Sequence, residues 1–305
     1  MRQDRRDGQE GRDGRNARPA LPAKTIRELV AAASDRLREA GITVSANLDA
    51  RLLAQHVLGW DAAKLLASAA DDAPDTFPAA YEPLVARRAA REPLPYITGH
   101  KEFFGLDLEV TPAVLVPRPE TEIIVEAALA SLPETQLFTM IDACTGCGNI
   151  AVAVAKHRKN ARIVATDVSA KALEVARRNA ARHGVENRVT FIHADLFGDL
   201  AGPVDIITAN PPYVAERDRA GLQPEVGDHE PGVALFGGAN GLQIIERVVR
   251  DAPKLLRPGG YLMSEFGFGQ EVEVEDLVKR SGELTLIDLK RDLQGIARTI
   301  IARRV

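Results

Sequence analysis

From residue 137 to the C-terminus, short apolar runs alternate with stretches whose apolar residues recur every three or four positions. The runs fall near 138–143, 162–166, 188–193, 204–209, 260–266, 284–289 and 297–303. The helical patterns between them occupy about 149–158, 170–183, 241–256 and 269–280. A chain built this way is confined to the α/β class: a mostly parallel sheet with helices on both faces. Ligands of such sheets lie beyond the carboxyl ends of the strands, so chemistry is to be sought in the loops that follow them.

The residues upstream divide differently. Over 24–93 the apolar residues (Ile26, Leu29, Val30, Leu37, Leu52, Leu53, Val57, Leu58) have helical spacing, with Gly41 and Gly59 as stops. Two further helices are expected around 61–69 and 77–91, giving a small helical domain that faces a substrate or partner. Residues 96–116 alternate and turn at Gly105, which predicts a β-hairpin bridging two domains over 94–118. PRPETE then opens a helix, with Pro119 in its first turn and acids at its positive end, and the α/β domain runs over 119–305. Residues 1–23 are mixed in charge, rich in Gly and poor in anything to bury, and read as a disordered tail. A basic RNA-binding arm is the other reading of that tail. Asp4, Asp7, Glu10 and Asp13 do not suit a transit peptide, and no apolar stretch suits a signal peptide. Two cysteines and no export signal make a reducing cytoplasm the default location, and no apolar run is long enough for a membrane span. The net charge of −4 disfavours affinity for a long phosphate backbone without excluding a local basic patch.

Four of the loops carry the chemistry. The first, IDACTGCGNIA (141–151), holds both cysteines, Cys144 and Cys147, as C-x-x-C. That spacing suits a redox pair or half a metal clip. The same residues, with Thr145, Gly146 and Gly148, also form a turn that lets a nucleotide approach the backbone at a helix N-terminus. A redox role needs an exposed, acidified thiol, and no second Cys pair or His cluster completes a zinc site; a cofactor-binding floor is the favoured reading, with no metal. In the second loop, Asp167 ends IVATD, where an acid can accept from both hydroxyls of a ribose; its bland alternative, a helix N-cap, suits Ser169 better. In the third, Asp195 of HADLF can meet an adenine amino group, with Leu196 and Phe197 as apolar walls, or can be a solvated turn residue.

The fourth loop is DIITANPPY (205–213), an apolar strand running into Asn210-Pro211-Pro212-Tyr213. Two prolines fix the backbone and donate no hydrogen bonds. The loop therefore offers carbonyls, the Asn210 side-chain oxygen and an aromatic ring to a planar group bearing NH2. Such a nitrogen is a poor nucleophile because its lone pair is delocalised. Acceptors at Asn210 Oδ1 and the Pro211 carbonyl orient it and stabilise the charge that grows on attack, while Tyr213 packs on the plane. An ordinary turn is the alternative. A suitable electrophile is the sulfonium methyl of S-adenosylmethionine: its adenosine suits Asp167 and Asp195, its ammonium Asp142, and it has no pyrophosphate. Catalysis then amounts to alignment plus electrostatics.

With these residues in view, the chain resembles the class I S-adenosylmethionine-dependent methyltransferases, whose Rossmann-like, doubly wound sheet has seven strands, the last antiparallel. Within them it is most similar to the HemK/PrmC family of release factor glutamine methyltransferases. The likeness extends from Lys24 onward through REPLPYITGHKEFFGLDLEVTPAVLVPRPETE (91–122), NPPY, HEPGVALFGGANGL (229–242) and SEFGFGQ (264–270). It implies N5-methylation of the glutamine in the GGQ motif of class I peptide-chain release factors, in the cytoplasm, by a monomer with no stable nucleic-acid binding. It also implies that Asn210, Pro211, Pro212 and Tyr213 hold the glutamine amide and that Phe103 of the hairpin lines that pocket. Cys144 to Gly148, Asp167, Asp195 and Leu196 would contact the cofactor. Cys144 stands where a glycine is common, Cys147 where a small hydroxyl residue is usual, and Leu196 where an aromatic often stacks on adenine.

Two rivals remain. A methyltransferase for adenine or guanine amino groups in DNA or RNA would also use NPPY, but would need to flip its base and carry a basic, aromatic track; 5% aromatic residues and an acidic balance disfavour this. A non-catalytic cofactor-binding adaptor would not need a complete NPPY. His56 and His157 read as helix packing, His193 as a strand end, and His229 as part of a long 214–240 loop able to act as a mobile lid. Glu120, Glu122 and Glu230 are candidates for pocket or hinge contacts.

Overall fold

The computed structural model describes residues 24–131 and 135–305, so the expected tail lies outside the described residues. The chain divides into two compact units between Ala86 and Arg87.

In the first unit, helix α1 (Ile26–Glu39) begins at a reciprocal capping box: the Thr25 hydroxyl accepts from the Glu28 amide, and the Glu28 carboxylate accepts from the Thr25 amide. Helix α2 (Ala46–Leu58) stops at Gly59, whose φ of +64° is left-handed. Asp61 caps α3 (Ala62–Ala67), and α4 (Phe77–Ala89) follows. Leu37, Leu53, Phe77 and Tyr81 are buried. The Phe77 and Tyr81 rings stack with centroids 4.8 Å apart, and the Tyr81 hydroxyl donates to the Ala50 carbonyl at 2.7 Å. The division falls inside α4, and Arg87 and Arg88, at the start of the second unit, are tied to Glu92 and Glu225 of the same unit.

The second unit opens with α5 (Leu94–Thr98) and a hairpin of β1 (His100–Phe103) and β2 (Leu106–Glu109). The hairpin is shorter than 94–118 because Pro93 and Pro95 start a helical turn that Gly99 ends at φ +80°. Downstream, the Tyr96 hydroxyl holds the Val114 carbonyl. The hairpin turns on Phe104 and Gly105, both at positive φ, as a tight two-residue turn requires. Glu122 accepts from the Phe104 amide at 2.8 Å. A 3₁₀ turn, Pro119–Thr121, leads into α6 (Glu122–Ser131).

The remaining elements are β3 (Phe138–Ala143), α7 (Asn149–His157), β4 (Ala161–Asp167), α8 (Ala170–Arg182), β5 (Val189–His193), β6 (Val204–Ala209), a 3₁₀ helix Glu216–Gly221, α9 (Pro224–Gly227), α10 (Gly232–Leu235), α11 (Gln243–Leu255), β7 (Leu256–Glu265), α12 (Glu271–Ser281), β8 (Leu284–Arg291) and β9 (Ala297–Arg304). The seven strands run in the order β5-β4-β3-β6-β7-β9-β8. All neighbours are parallel except β9, which is antiparallel to both β7 and β8. Strand β7 begins at Leu256 rather than 260 because Leu256 pairs with Val204 ahead of a bulge. Apolar residues of the hairpin, α6, α7 and α8 form one core, and those of α11 and α12 another. The strands, wedged between two apolar layers, are continuous hydrophobic runs for that reason. From β3 the chain builds outward through β4 and β5, then returns to β6 on the other side of β3. That reversal opens the crevice.

Candidate active site

A cavity of about 300 Å³ lies at the reversal, walled by the loops after β3, β4, β5 and β6. These are the four loops singled out above, brought together by one topological fact. Cys144, Thr145, Gly146, Cys147, Asp167, Asp195, Leu196, Asn210 and Pro212 all reach the cavity wall.

In the first loop the backbone turns at Cys144, Gly146 and Gly148, with φ of +58°, +56° and +82°. Cys144 thus adopts the glycine conformation with a side chain attached, at a cost of about 1 kcal/mol. Gly148 caps α7 rather than touching the cavity; a Cβ there would come within 3.1 Å of the Ala176 Cβ. Asp142 is likewise set back from the cavity. It is wholly buried, and its two oxygens accept from the Thr145 hydroxyl at 2.6 Å and the Thr208 hydroxyl at 2.7 Å. Burial pushes its carboxyl up to about 6, against the pull of those hydroxyls. Asp142 does not line the cavity, and it sets the position of Thr145 from behind.

Asp167 accepts from the Gly146 amide at 2.9 Å and the Ser169 amide at 2.8 Å, one on each oxygen. Asp167 itself lines the cavity. Burial raises this carboxyl, opposed by the same amides. The helix cap itself falls to Ser169, which accepts from Ala172. Asp195 is exposed and accepts from Arg247 of α11 at 2.9 Å. Leu196 turns at φ +51° and is buried against the cavity.

The NPPY loop rests on a network that the motif alone does not reveal. Asn210 Nδ2 donates to Thr121 Oγ1 at 3.0 Å, and Thr121 Oγ1 donates to Glu265 Oε2 at 2.7 Å. The Tyr213 hydroxyl donates to Glu265 Oε1 at 3.0 Å. Glu265 is 2% exposed, and its carboxyl is pushed up to about 7 by burial, with Thr121 and Tyr213 opposing. Gln270 grips the Tyr213 carbonyl at 3.0 Å and the Gly267 amide at 2.8 Å. The GGANG segment lies directly on the same backbone: a Cβ on Gly237 would sit 2.4 Å from the Pro212 carbonyl oxygen, and one on Gly241 2.2 Å from that of Tyr213. Thr121, Glu265 and Gln270 lie within the PRPETE and SEFGFGQ stretches, so their positions were visible but their partnership was not.

A second, smaller cavity of about 110 Å³ adjoins NPPY and is lined by Asn210, Pro211 and Tyr213 with Arg118, Val226 and Leu235. Asn210, Arg118, Leu115 and Ala234 line both cavities. Phe103 lines neither. It is 1% exposed in the core cluster that the hairpin shares with α6, so the expectation that it walls the pocket is corrected. Leu115 and Arg118, after the hairpin, occupy that role. Arg118 pairs with the buried Glu230 at 2.6 Å. Glu122 braces the hairpin turn, Glu120 adds negative charge beside Glu265, and His229 lies near Glu92. The 214–240 segment is not an open loop but carries a 3₁₀ helix, α9 and α10, and Arg219 covers Phe236 at 3.7 Å.

Both thiols are raised by burial and by nearby acids, Cys147 to about 12. That is the reverse of what a redox nucleophile needs. Among the described residues no group of three or more His, Cys, Asp or Glu is placed to hold a metal.

The fold and these four loops define a class I methyltransferase. The methyltransferase small domain family matches residues 122–223, and the PrmC N-terminal domain family matches 28–99. The hMettl16 catalytic domain, solved in complex with the MAT2A 3′UTR hairpin 6, shares the fold with a TM-score of 0.54 at 18% identity, over 72% of this chain and 81% of that one. A release factor glutamine methyltransferase of Mycolicibacterium smegmatis is 40% identical over 92% of this chain and 98% of its own length. One of Geobacter sulfurreducens is 41% identical over 92% and 96%. The chain belongs to the release factor glutamine methyltransferase family.

Proposed function

We propose that this protein transfers a methyl group to the side-chain amide nitrogen of the glutamine in the GGQ motif of class I release factors. The observation that carries the reading is the position of Asn210 on the wall common to a large cavity and a small one. The large cavity has the groups an adenosine ligand needs on its wall: the Asp167 carboxyl, apolar Leu196, and Asn149 at the N-terminus of α7. These residues fit S-adenosylmethionine, which when bound supplies a methyl group activated by its sulfonium. The small cavity suits an aliphatic stem ending in an amide, since Leu115, Val226, Ala234 and Leu235 line it and Asn210 and Pro211 stand at its polar end.

Asn210 has committed its NH2 to Thr121, so Oδ1 is the atom left to accept from a substrate N–H. With the Pro211 carbonyl taking the second hydrogen, the substrate nitrogen is held at the shared wall. With the cofactor bound, the N–C bond would form as the sulfonium's bond to the methyl carbon breaks, leaving a neutral thioether, and the positive charge gained by nitrogen would be met by two fixed acceptors. The methylated nitrogen would then lose one of those protons to water, so no strong base is required. Glu230 neutralises Arg118 at the same wall, so no uncompensated cation opposes that charge.

The same reading places the protein in the cytoplasm as a monomer without stable nucleic-acid binding. The net charge of −4 supports the last of these, since it gives no broad surface for a phosphate backbone; no described helix is long and apolar enough to cross a membrane. The test is incubation with methyl-labelled S-adenosylmethionine and a release factor, beside a copy whose GGQ glutamine is replaced. Label on the first alone supports the proposal. Label on neither, with transfer to RNA or DNA, moves the activity to base amino groups.

A further inference from the structure

We infer that Glu265 is a positioning residue: acting through the Thr121 hydroxyl, it holds the Asn210 amide in the one orientation that presents Oδ1 to the substrate. The inference rests on the amide-gripping role of Asn210 proposed above.

The argument is one of hydrogen counting. Thr121 has a single hydroxyl hydrogen, and it lies between two candidates, the Asn210 amide and the Glu265 carboxylate. A carboxylate is acceptor-only and the stronger acceptor, and at 2.7 Å it takes the hydrogen. Thr121 Oγ1 can then only accept from Asn210, which fixes the NH2 end of the amide there and turns Oδ1 toward the cavities. The Tyr213 hydroxyl fills the other Glu265 oxygen, so the carboxylate also ties the last residue of NPPY to the first. A carboxylic acid on the Thr121 side would donate instead of accept. The Thr121 hydrogen would then face the Asn210 NH2, donor against donor, and the amide would turn its NH2 toward the substrate's own NH2.

The groups that face Glu265 are Thr121 and Glu120 from the 3₁₀ turn, Tyr213 from NPPY and Arg298 from β9, itself paired with Asp292. Burial and Glu120 favour the neutral acid; Thr121, Tyr213 and Arg298 favour the carboxylate. The balance places its titration at about 7, within reach of an assay.

The experiment measures kcat, and KM for both substrates, from about pH 5.5 to 8.5, with the full-length protein, S-adenosylmethionine and a release factor. The variants are E265Q, T121V and T121S. In the wild type, kcat is expected to fall as pH drops through about 7, with KM for S-adenosylmethionine little changed. E265Q should lower kcat at pH 8 by at least about 10-fold, a fraction of the loss of a full preorganised contact. T121S should keep both the rate and the pH inflection. T121V should lower the rate and abolish the inflection, since protonation of Glu265 no longer reaches Asn210; a merely structural role for Thr121 would leave the inflection in place. Cofactor affinity and thermal midpoint check that each variant is folded. If E265Q does not fold, the wild-type, T121S and T121V profiles decide. Wild-type rate in E265Q, or an inflection surviving in T121V, overturns the inference. No transfer by the wild type to the glutamine instead overturns the activity on which it rests.

Discussion

At the scale of single residues, Asn210 and Asp167 separate the two halves of the site. Asn210→Ala removes an acceptor that acts on the growing charge, so turnover should fall by at least about 100-fold while cofactor affinity stays near wild type. Asp167→Ala should do the opposite and chiefly weaken the cofactor, because its carboxylate both faces the cavity and secures the Gly146 and Ser169 amides. Steady-state kinetics and calorimetric titration of each variant check the pair; an active Asn210→Ala would remove the amide grip from the mechanism. Both residues were legible because each ends a strand in a loop whose chemistry is carried by its own side chain. Asp142 ends a strand too, but it is wholly buried and holds two hydroxyls, Thr145 and Thr208, and nothing local in the sequence announces that Thr208 lies beside it across the sheet. Glu265 and Thr121 escaped notice because their link joins residues far apart in the chain.

Between elements, the clearest joint is Asn179 of α8. It is wholly buried, its oxygen accepts from the Glu109 amide at 2.7 Å, and its NH2 donates to the carbonyls of Glu109 at 3.0 Å and Cys147 at 2.9 Å. One amide thus pins the hairpin strand β2 and the turn before α7 to α8. Replacing it with Ala would strand two part-buried groups of Glu109 and the buried Cys147 carbonyl, for which about 2–4 kcal/mol of stability is expected. Because one of those groups belongs to the cofactor loop, Asn179→Ala should also weaken S-adenosylmethionine binding, whereas a substitution on the exposed side of α8, such as Lys171→Ala, should leave it alone. Unfolding midpoints and cofactor titration test this; loss of stability with unchanged affinity would confine Asn179 to the hairpin. The alternation of strands and helices was readable element by element, most plainly at the central strands β3 and β6, which are buried along almost their whole length. The hairpin was read too long because Tyr96, Ile97 and Thr98 have strand-forming side chains, while the prolines before them and Gly99 after them favour a helical turn.

For the whole molecule, the charges set how stability depends on pH, and they act in two opposed groups. Asp251, drawn down to about 2 by Arg250 and Lys254, and the paired carboxylates Glu109 and Glu225, all lie below the ordinary range. A lowered folded pKa contributes stability above the unfolded value and loses it as pH falls, so these groups steepen acid unfolding. Asp142 at about 6 and Glu265 at about 7 are raised by burial. For them the folded state binds the proton more tightly than the unfolded chain between the ordinary carboxylate value near 4 and the folded value. Their contribution is therefore greatest at the acid end of that window and declines as pH rises through 6 to 7. The first group thus favours higher pH and the second lower pH. Glu265→Gln removes one titration from the alkaline limb without removing the buried polar atoms. The thermal midpoint of the variant, measured relative to wild type, should therefore climb as pH is raised from about 5 to 8. Parallel curves across that range would mean that Glu265 does not change its proton on unfolding there. In that event the same carboxyl could not gate the orientation of Asn210 near pH 7, so the stability curve and the rate profile bear on one titration by independent routes.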